Sequence, residues 1–134
     1  LRPFLFENME TNNFYLYRAL VTDVYDGDTV TLDIDLGFWT TLHNQKIRLY
    51  GINAPELKGN SRELGLVSKK WLERTLLGKH VILESIKDKS EKYGRILGIL
   101  HLPSTLVQGG VETIQYLNIN EQMIIEGFAE RYLL

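Results

Sequence analysis

Ile47-Arg48-Leu49-Tyr50-Gly51-Ile52-Asn53-Ala54-Pro55-Glu56 is the stretch on which the fold turns. Ile47 and Leu49 alternate with polar neighbours, so Lys46 to Tyr50 predicts a strand with Arg48 on the face opposite the apolar pair. Pro55 biases Ala54 towards an extended backbone, which fixes the direction of the Ala54 carbonyl and carries Glu56 to a defined place. A strand carrying an arginine that runs into a loop ending in Pro-Glu can orient groups around a ligand. The same residues also suit a solvent-facing loop, so the surrounding chain has to decide.

Working towards the N-terminus, Thr29 to Asp35 alternates Val30, Leu32 and Ile34 against Thr31, Asp33 and Asp35, and Tyr15 to Tyr25 is rich in aromatic and β-branched residues. These predict two strands joined at Asp26-Gly27, a pair suited to a hairpin turn. Asp28 follows that glycine at the mouth of a strand, where a carboxylate can face a hard cation. Gly37-Phe38-Trp39 and His43-Asn44-Gln45 are expected to separate this hairpin from the third strand, with Phe38 and Trp39 packed under a hairpin or along an edge. Residues 1–14 show no steady period and are expected to form a tail or an added edge to the domain at 15–134.

Towards the C-terminus, Asn60 with Glu63 has the spacing of a capping box, and Leu64, Val67, Trp71, Leu72 and Leu76 form an apolar stripe at helical spacing that stops at Gly78. Val81 to Ile86 and Arg95 to Leu102 predict two more strands, joined by a charged loop from Lys87 to Lys92 whose lysines either form a cationic rim beside Arg95 or are a solvated loop. After Gly109-Gly110, a short strand is expected at Ile114 to Leu117, then a helix capped by Asn118 with Glu121 and ending at Gly127. Three strands, a helix, two strands and a closing helix suit an α+β, mainly β chain. The order fits a five-stranded Greek-key barrel of the OB type with two helices better than a doubly wound sheet.

The 134 residues include no cysteine, which excludes disulfides and thiolate metal sites. A net charge of −2 argues against a surface that is one broad phosphate-binding field, so any nucleic-acid contact must be a local cationic cleft. No apolar run reaches the roughly 18 residues of a membrane span, and no secretory signal pattern is present. The chain therefore reads as soluble, with no membrane partner expected and its compartment open between cytoplasm and secretion after processing.

Three motifs in order, Asp26-Gly27-Asp28-Thr29, Ile47-Arg48-Leu49 through Asn53-Ala54-Pro55-Glu56, and Lys92-Tyr93-Gly94-Arg95, resemble the staphylococcal nuclease (thermonuclease) family. Asn120-Glu121 leading to Gly127-Phe128-Ala129 is similar to that family's closing helix and turn. The resemblance spans Tyr15 to Ala129. It implies an OB-type barrel that binds one calcium ion and hydrolyses DNA and RNA to 5′-hydroxyl and 3′-phosphate products, here as a monomer. It further implies that Asp28 and the Ala54 carbonyl hold calcium with Asp26 in support, and that Arg48 and Arg95 hold the scissile phosphate. Glu56 would activate water, and Lys92 and Tyr93 would contact a terminal phosphate of the substrate. Asn53 stands where that family's staphylococcal member has a second calcium-binding aspartate, which implies weaker calcium binding because an amide brings no charge. A barrel of this type can also bind strands without chemistry, so a catalytically weak or inactive nucleic-acid- or protein-binding module is the alternative.

Overall fold

The computed structural model describes residues 15–90 and 93–132, without the side chains of 87–90; the expected tail at 1–14 and Lys92 lie outside the described residues. Among the described residues, eight strands, two α-helices and one short 3-10 turn follow in the order β1 Leu16–Asp26, β2 Thr29–Gly37, β3 Thr40–Leu49, β4 Ile52–Asn53, the 3-10 turn Gly59–Ser61, α1 Arg62–Leu76, β5 His80–Ser90, β6 Ile96–Gln108, β7 Val111–Asn118, α2 Ile119–Ile125 and β8 Glu130–Arg131. Antiparallel pairing runs β3-β2-β1-β5-β6, and a parallel pairing of Ile47, Arg48 and Leu49 with Ile96, Leu97 and Gly98 closes the ring. The result is the five-stranded OB-like barrel expected from the sequence. β7 adds a sixth strand along the far half of β6, from His101↔Asn118 to Gln108↔Val111.

The alternation in β2 and β3 decides what enters the core. Val30, Leu32, Ile47 and Leu49 are fully buried inside the ring, together with Leu72 of α1 and Met123 of α2. Closing the ring removes the free sheet edges that a five-stranded open sheet would leave to other chains.

Several elements differ from the sequence expectation. The stretch Thr40 to Gln45 belongs to β3, which forms a long hairpin arm with β2. Phe38 and Trp39 sit at its tip, exposed, and do not pack beneath it. β5 continues through Ser90 into the charged run expected as a loop, and β7 starts at Val111, three residues before the expected strand. In both places backbone pairing overrides weak local apolar periodicity. Asn60 does not cap α1; Ser61 is its N-cap residue and makes no side-chain cap bond, because its hydroxyl donates to Glu56 O at 2.9 Å and Lys58 O at 3.2 Å. The buried face of α1 is Gly65, Ser68, Leu72 and Leu76, while Leu64 and Val67 of the expected stripe are exposed. Small residues at the first two positions let the helix approach the barrel mouth more closely than leucine and valine would allow.

The closing helix follows the sequence reading. Asn118 Oδ1 accepts the Glu121 N–H at 3.0 Å, as its capping spacing requires. At the other end the Phe128 N–H donates to Met123 O at 2.8 Å and the Gly127 N–H to Ile124 O at 3.1 Å, a Schellman ending made possible by the positive φ of Gly127. Phe128 is thereby set against Trp71 of α1, with ring centroids 5.4 Å apart.

Asn120, on the first turn of α2, is buried and ties the helix to the barrel. Its amide donates to Tyr50 O at 2.9 Å and Gly98 O at 3.1 Å, and its carbonyl accepts the Leu100 N–H at 3.2 Å. Asn120→Leu would leave the Leu100 N–H without that acceptor, so a loss of about 2–4 kcal/mol in unfolding free energy is expected by denaturant titration.

Candidate active site

The β1–β2 turn, the end of β3 and the loop after β4 converge at one end of the barrel. Asp26, Gly27 and Asp28 form the turn, and the Asp28 N–H donates to Asp26 Oδ1 at 3.0 Å. The Asp28 carboxylate meets the loop, where the Ala54 N–H donates to Asp28 Oδ2 at 2.9 Å. The Ala54 backbone expected to offer its carbonyl thus first contributes its N–H, locking loop to turn. Leu49 N–H reinforces the lock by donating to Asp28 O at 2.8 Å.

Arg48 stands opposite Thr29 across the β2–β3 ladder, which brings its side chain over the turn. Its Nη2 lies 3.6 Å from Asp28 Oδ2, with both side chains only 12% exposed. The same nitrogen donates to Asn53 Oδ1 at 3.4 Å, while Nη1 donates to Leu49 O at 2.7 Å. Arg95, just before β6, arrives from the other side: its Nη1 donates to the Thr29 hydroxyl at 3.0 Å, and that hydroxyl donates to Asp28 Oδ1 at 3.4 Å. Two guanidinium groups from distant parts of the chain therefore flank one buried carboxylate. Tyr93 carries its ring beside the Arg95 guanidinium, 5.5 Å from centroid to Cζ, and is largely exposed.

Glu56 lies two residues beyond Ala54 with its side chain exposed. Its backbone is closely held, because Ser61 Oγ donates to its carbonyl and Gly65 of α1 lies so near that a β-carbon there would stand 2.7 Å from Glu56 O and 2.8 Å from Pro55 O. A similar contact holds the turn: a β-carbon on Gly27 would meet the Ala54 Cβ at 2.6 Å and the Ser68 Cβ at 2.8 Å. Ser68 in turn donates to Phe128 O at 2.6 Å, so α1 fastens turn, loop and closing segment together. Gly65→Ala should force Glu56 and α1 apart, costing about 1–3 kcal/mol of stability. Thermal melts would measure that loss, and a chain with unchanged melting would refute the steric argument.

The sequence reading placed Gly27 in the hairpin turn and Thr29 at the end of the first motif without giving either a contact in the site, and it did not single out Gly65 or Ser68, whose role depends on contacts between elements.

The oxygens gathered here are two carboxylates, Asp26 and Asp28, and the Asn53 amide. Burial first, and the neighbouring Asp28 charge second, push the Asp26 carboxyl up to about 6. This is a hard-donor set that fits an oxygen-seeking cation such as calcium or magnesium. Its charge is low, and no group of three or more His, Cys, Asp or Glu side chains capable of holding a metal occurs among the described residues. Arg48 Nη2 stands between the Asp28 and Asn53 oxygens, where it competes with a cation for both.

Comparison with known proteins places the chain in a family. A family model described as staphylococcal nuclease homologue matches residues 46–133. An uncharacterised protein of Methanocaldococcus jannaschii is 28% identical over 138 residues, covering 87% of this chain and 60% of that protein. A thermonuclease of Staphylococcus intermedius is 31% identical over 86 residues, covering 62% of this chain and 48% of the enzyme. The chain thus spans less than two thirds of either relative's length.

Proposed function

The chain belongs to the staphylococcal nuclease homologue family, and from that premise we propose that it is a calcium-dependent nuclease that hydrolyses DNA or RNA to 5′-hydroxyl and 3′-phosphate products. The observation that carries the reading is the chain of contacts Arg48–Asp28–Thr29–Arg95, in which two guanidinium groups flank the Asp28 carboxylate. A phosphodiester attacked by water gathers negative charge on its non-bridging oxygens. Arg48 and Arg95 present planar donors to those oxygens and stabilise that charge as it develops. Glu56 takes a proton from the attacking water as the new oxygen–phosphorus bond forms. The bond from phosphorus to the 5′ oxygen breaks, and that oxygen leaves with a proton from solvent. Asp28 and Asn53, with the Ala54 carbonyl and with Asp26 in support, would hold one calcium ion, which when bound would draw charge from a phosphate oxygen. Tyr93, and Lys92 outside the described residues, would contact a substrate phosphate next to Arg95.

One observation favours the second reading, a barrel that binds without cleaving. The Arg48 guanidinium already donates to Leu49 O and Asn53 Oδ1 and lies against the Asp28 carboxylate, which leaves fewer of its five N–H groups and less of its charge for a phosphate. Cleavage of single-stranded DNA with calcium, with magnesium and with chelator, comparing the native protein with Arg95→Ala, separates the two. Calcium-stimulated cleavage that falls roughly a hundred- to a thousand-fold in Arg95→Ala supports the enzyme. Binding without cleavage in every metal supports the module.

Asn53→Asp supplies the charge that the amide lacks. Calcium binding measured by calorimetry should tighten; no gain would remove Asn53 from the ligand set.

A further inference from the structure

The β2–β3 arm ends in a feature that neither the barrel nor the candidate site explains. Gly37 pairs with Thr40, leaving Phe38 and Trp39 as a two-residue loop. Both have left-handed backbones, with φ of 52° and 58°. Positive φ at both central residues is what an Asn-Gly or Gly-Gly turn adopts readily, and bulky aromatic residues adopt it only against steric resistance. Neither side chain packs on anything that would repay that resistance: Phe38 is 93% and Trp39 102% exposed. Leu36 and Leu42 below them are also exposed, so the tip is apolar on its outside.

The arm is built to hold this tip. The Gly37 N–H donates to Asp35 Oδ1 at 2.8 Å, the Thr40 hydroxyl to Phe38 O at 3.2 Å, and the Asn44 N–H to Asp33 Oδ1 at 3.0 Å. Residues 36–45 contain no Lys, Arg, Asp or Glu. An occupant of this tip is therefore met by aromatic and aliphatic carbon with hydroxyl groups just behind, and by no formal cation.

We propose that Phe38 and Trp39 are an anchor that enters the interfacial zone of a lipid bilayer, with the phosphatidylcholine type of neutral surface as the preferred one. Trp settles at the headgroup level because its ring joins an apolar body to a polar N–H, and Phe beside it buries at the headgroup/acyl boundary. Thr40 and Thr41 are placed to remain among the headgroups. A protein groove is a poorer match, since two projecting aromatic side chains bury about 400 Å² and a stable interface needs about 800 Å² from each partner. A nucleic-acid strand stacked on the rings would need cations to follow its phosphates, and the formal charge nearest the loop in β2 is the acid Asp35. The expectation that no membrane is involved rested on the lack of a spanning segment. No helix among the described residues is long and apolar enough to cross a bilayer, and a two-residue tip is invisible to such a criterion. β2 runs nine residues from Thr29 at the candidate site to Gly37 at the tip, so the two are roughly 26 Å apart and tip binding leaves the site clear.

The test uses flotation with neutral phosphatidylcholine vesicles, and fluorescence of the Trp71→Phe protein, in which Trp39 is the remaining tryptophan. Vesicles should shift the Trp39 emission to the blue and float the protein weakly and reversibly, as expected of a single small anchor. The double substitution F38N/W39G restores the pair this turn favours. It should melt no lower than the native protein, keep its cleavage activity, and lose flotation on the order of a hundredfold. Trp39→Ala alone should lose a smaller part. The proposal is overturned if the native protein does not float, or if F38N/W39G floats as well as the native protein. It also fails if phosphatidylserine tightens binding strongly, or if an oligonucleotide shifts the Trp39 emission and vesicles do not.

Discussion

Arg48→Ala should lower phosphodiester cleavage roughly a hundred- to a thousand-fold, the usual effect of removing one well-placed donor from a developing oxyanion. Arg48→Lys should recover little of the loss, because a single ammonium cannot reproduce the planar fork. Two further effects distinguish this arginine from a residue that touches only substrate. Arg48 Nη2 lies 3.6 Å from Asp28 Oδ2 and 3.4 Å from Asn53 Oδ1. Its removal therefore takes the guanidinium away from both oxygens, and calcium should bind the alanine variant more tightly than the native protein. Without calcium the same variant should be less stable by about 2–3 kcal/mol, since Asp28 keeps its burial and loses its counter-charge. The loss is at the low end for a broken buried pair because Ala54 N–H and the Thr29 hydroxyl still bond the carboxylate. Added calcium should restore the melting temperature and leave cleavage low. Full activity in Arg48→Ala would end the phosphate-binding role, and unchanged calcium affinity would end the competition.

Glu56→Gln should reduce kcat roughly a hundred- to ten-thousand-fold, the range for a positioned general base. KM should change little, because the amide keeps the shape of the side chain. Stability should also be unaffected: the side chain is exposed, and what the fold holds is the Glu56 carbonyl, through Ser61 and the close approach of Gly65. Comparison with Gly65→Ala is informative, since that change disturbs the backbone and leaves the carboxylate intact. If Glu56 is the base, Glu56→Gln loses activity without stability, and Gly65→Ala loses both. Equal cleavage by native and Glu56→Gln proteins would assign the proton to another group.

How much of this was legible beforehand differs by element. The alternation in Thr29–Asp35 and Lys46–Tyr50 pointed to two barrel strands, and Asn118 with Glu121 located the start of α2, because period-2 patterns and capping spacings are local signals. The Phe38-Trp39 turn was missed for the opposite reason. Its pairing arises from ladder bonds between Leu36-flanking segments of β2 and β3 that no short window contains, and two aromatic residues in left-handed backbone run against local preference. The α1 face was shifted likewise: Leu64 and Val67 fit the helical stripe, yet Gly65 and Ser68 are buried because the Gly27 turn and the Glu56 backbone press against them.

Residue type and order along the chain alone determined which groups were available: two arginines, two acids flanking Gly27, an asparagine after the third strand, and a proline that aims a loop. Whether these groups meet was settled by the ring closure of β3 on β6 and by the register that sets Thr29 across from Arg48. Arg48 and Arg95 are far apart in sequence, and only long-range backbone pairing brings both to Asp28. The physical reason is that covalent order limits contacts within a few residues, whereas hydrogen-bonded strand pairing and the burial of Gly27, Gly65 and Ser68 join segments that the chain itself keeps apart.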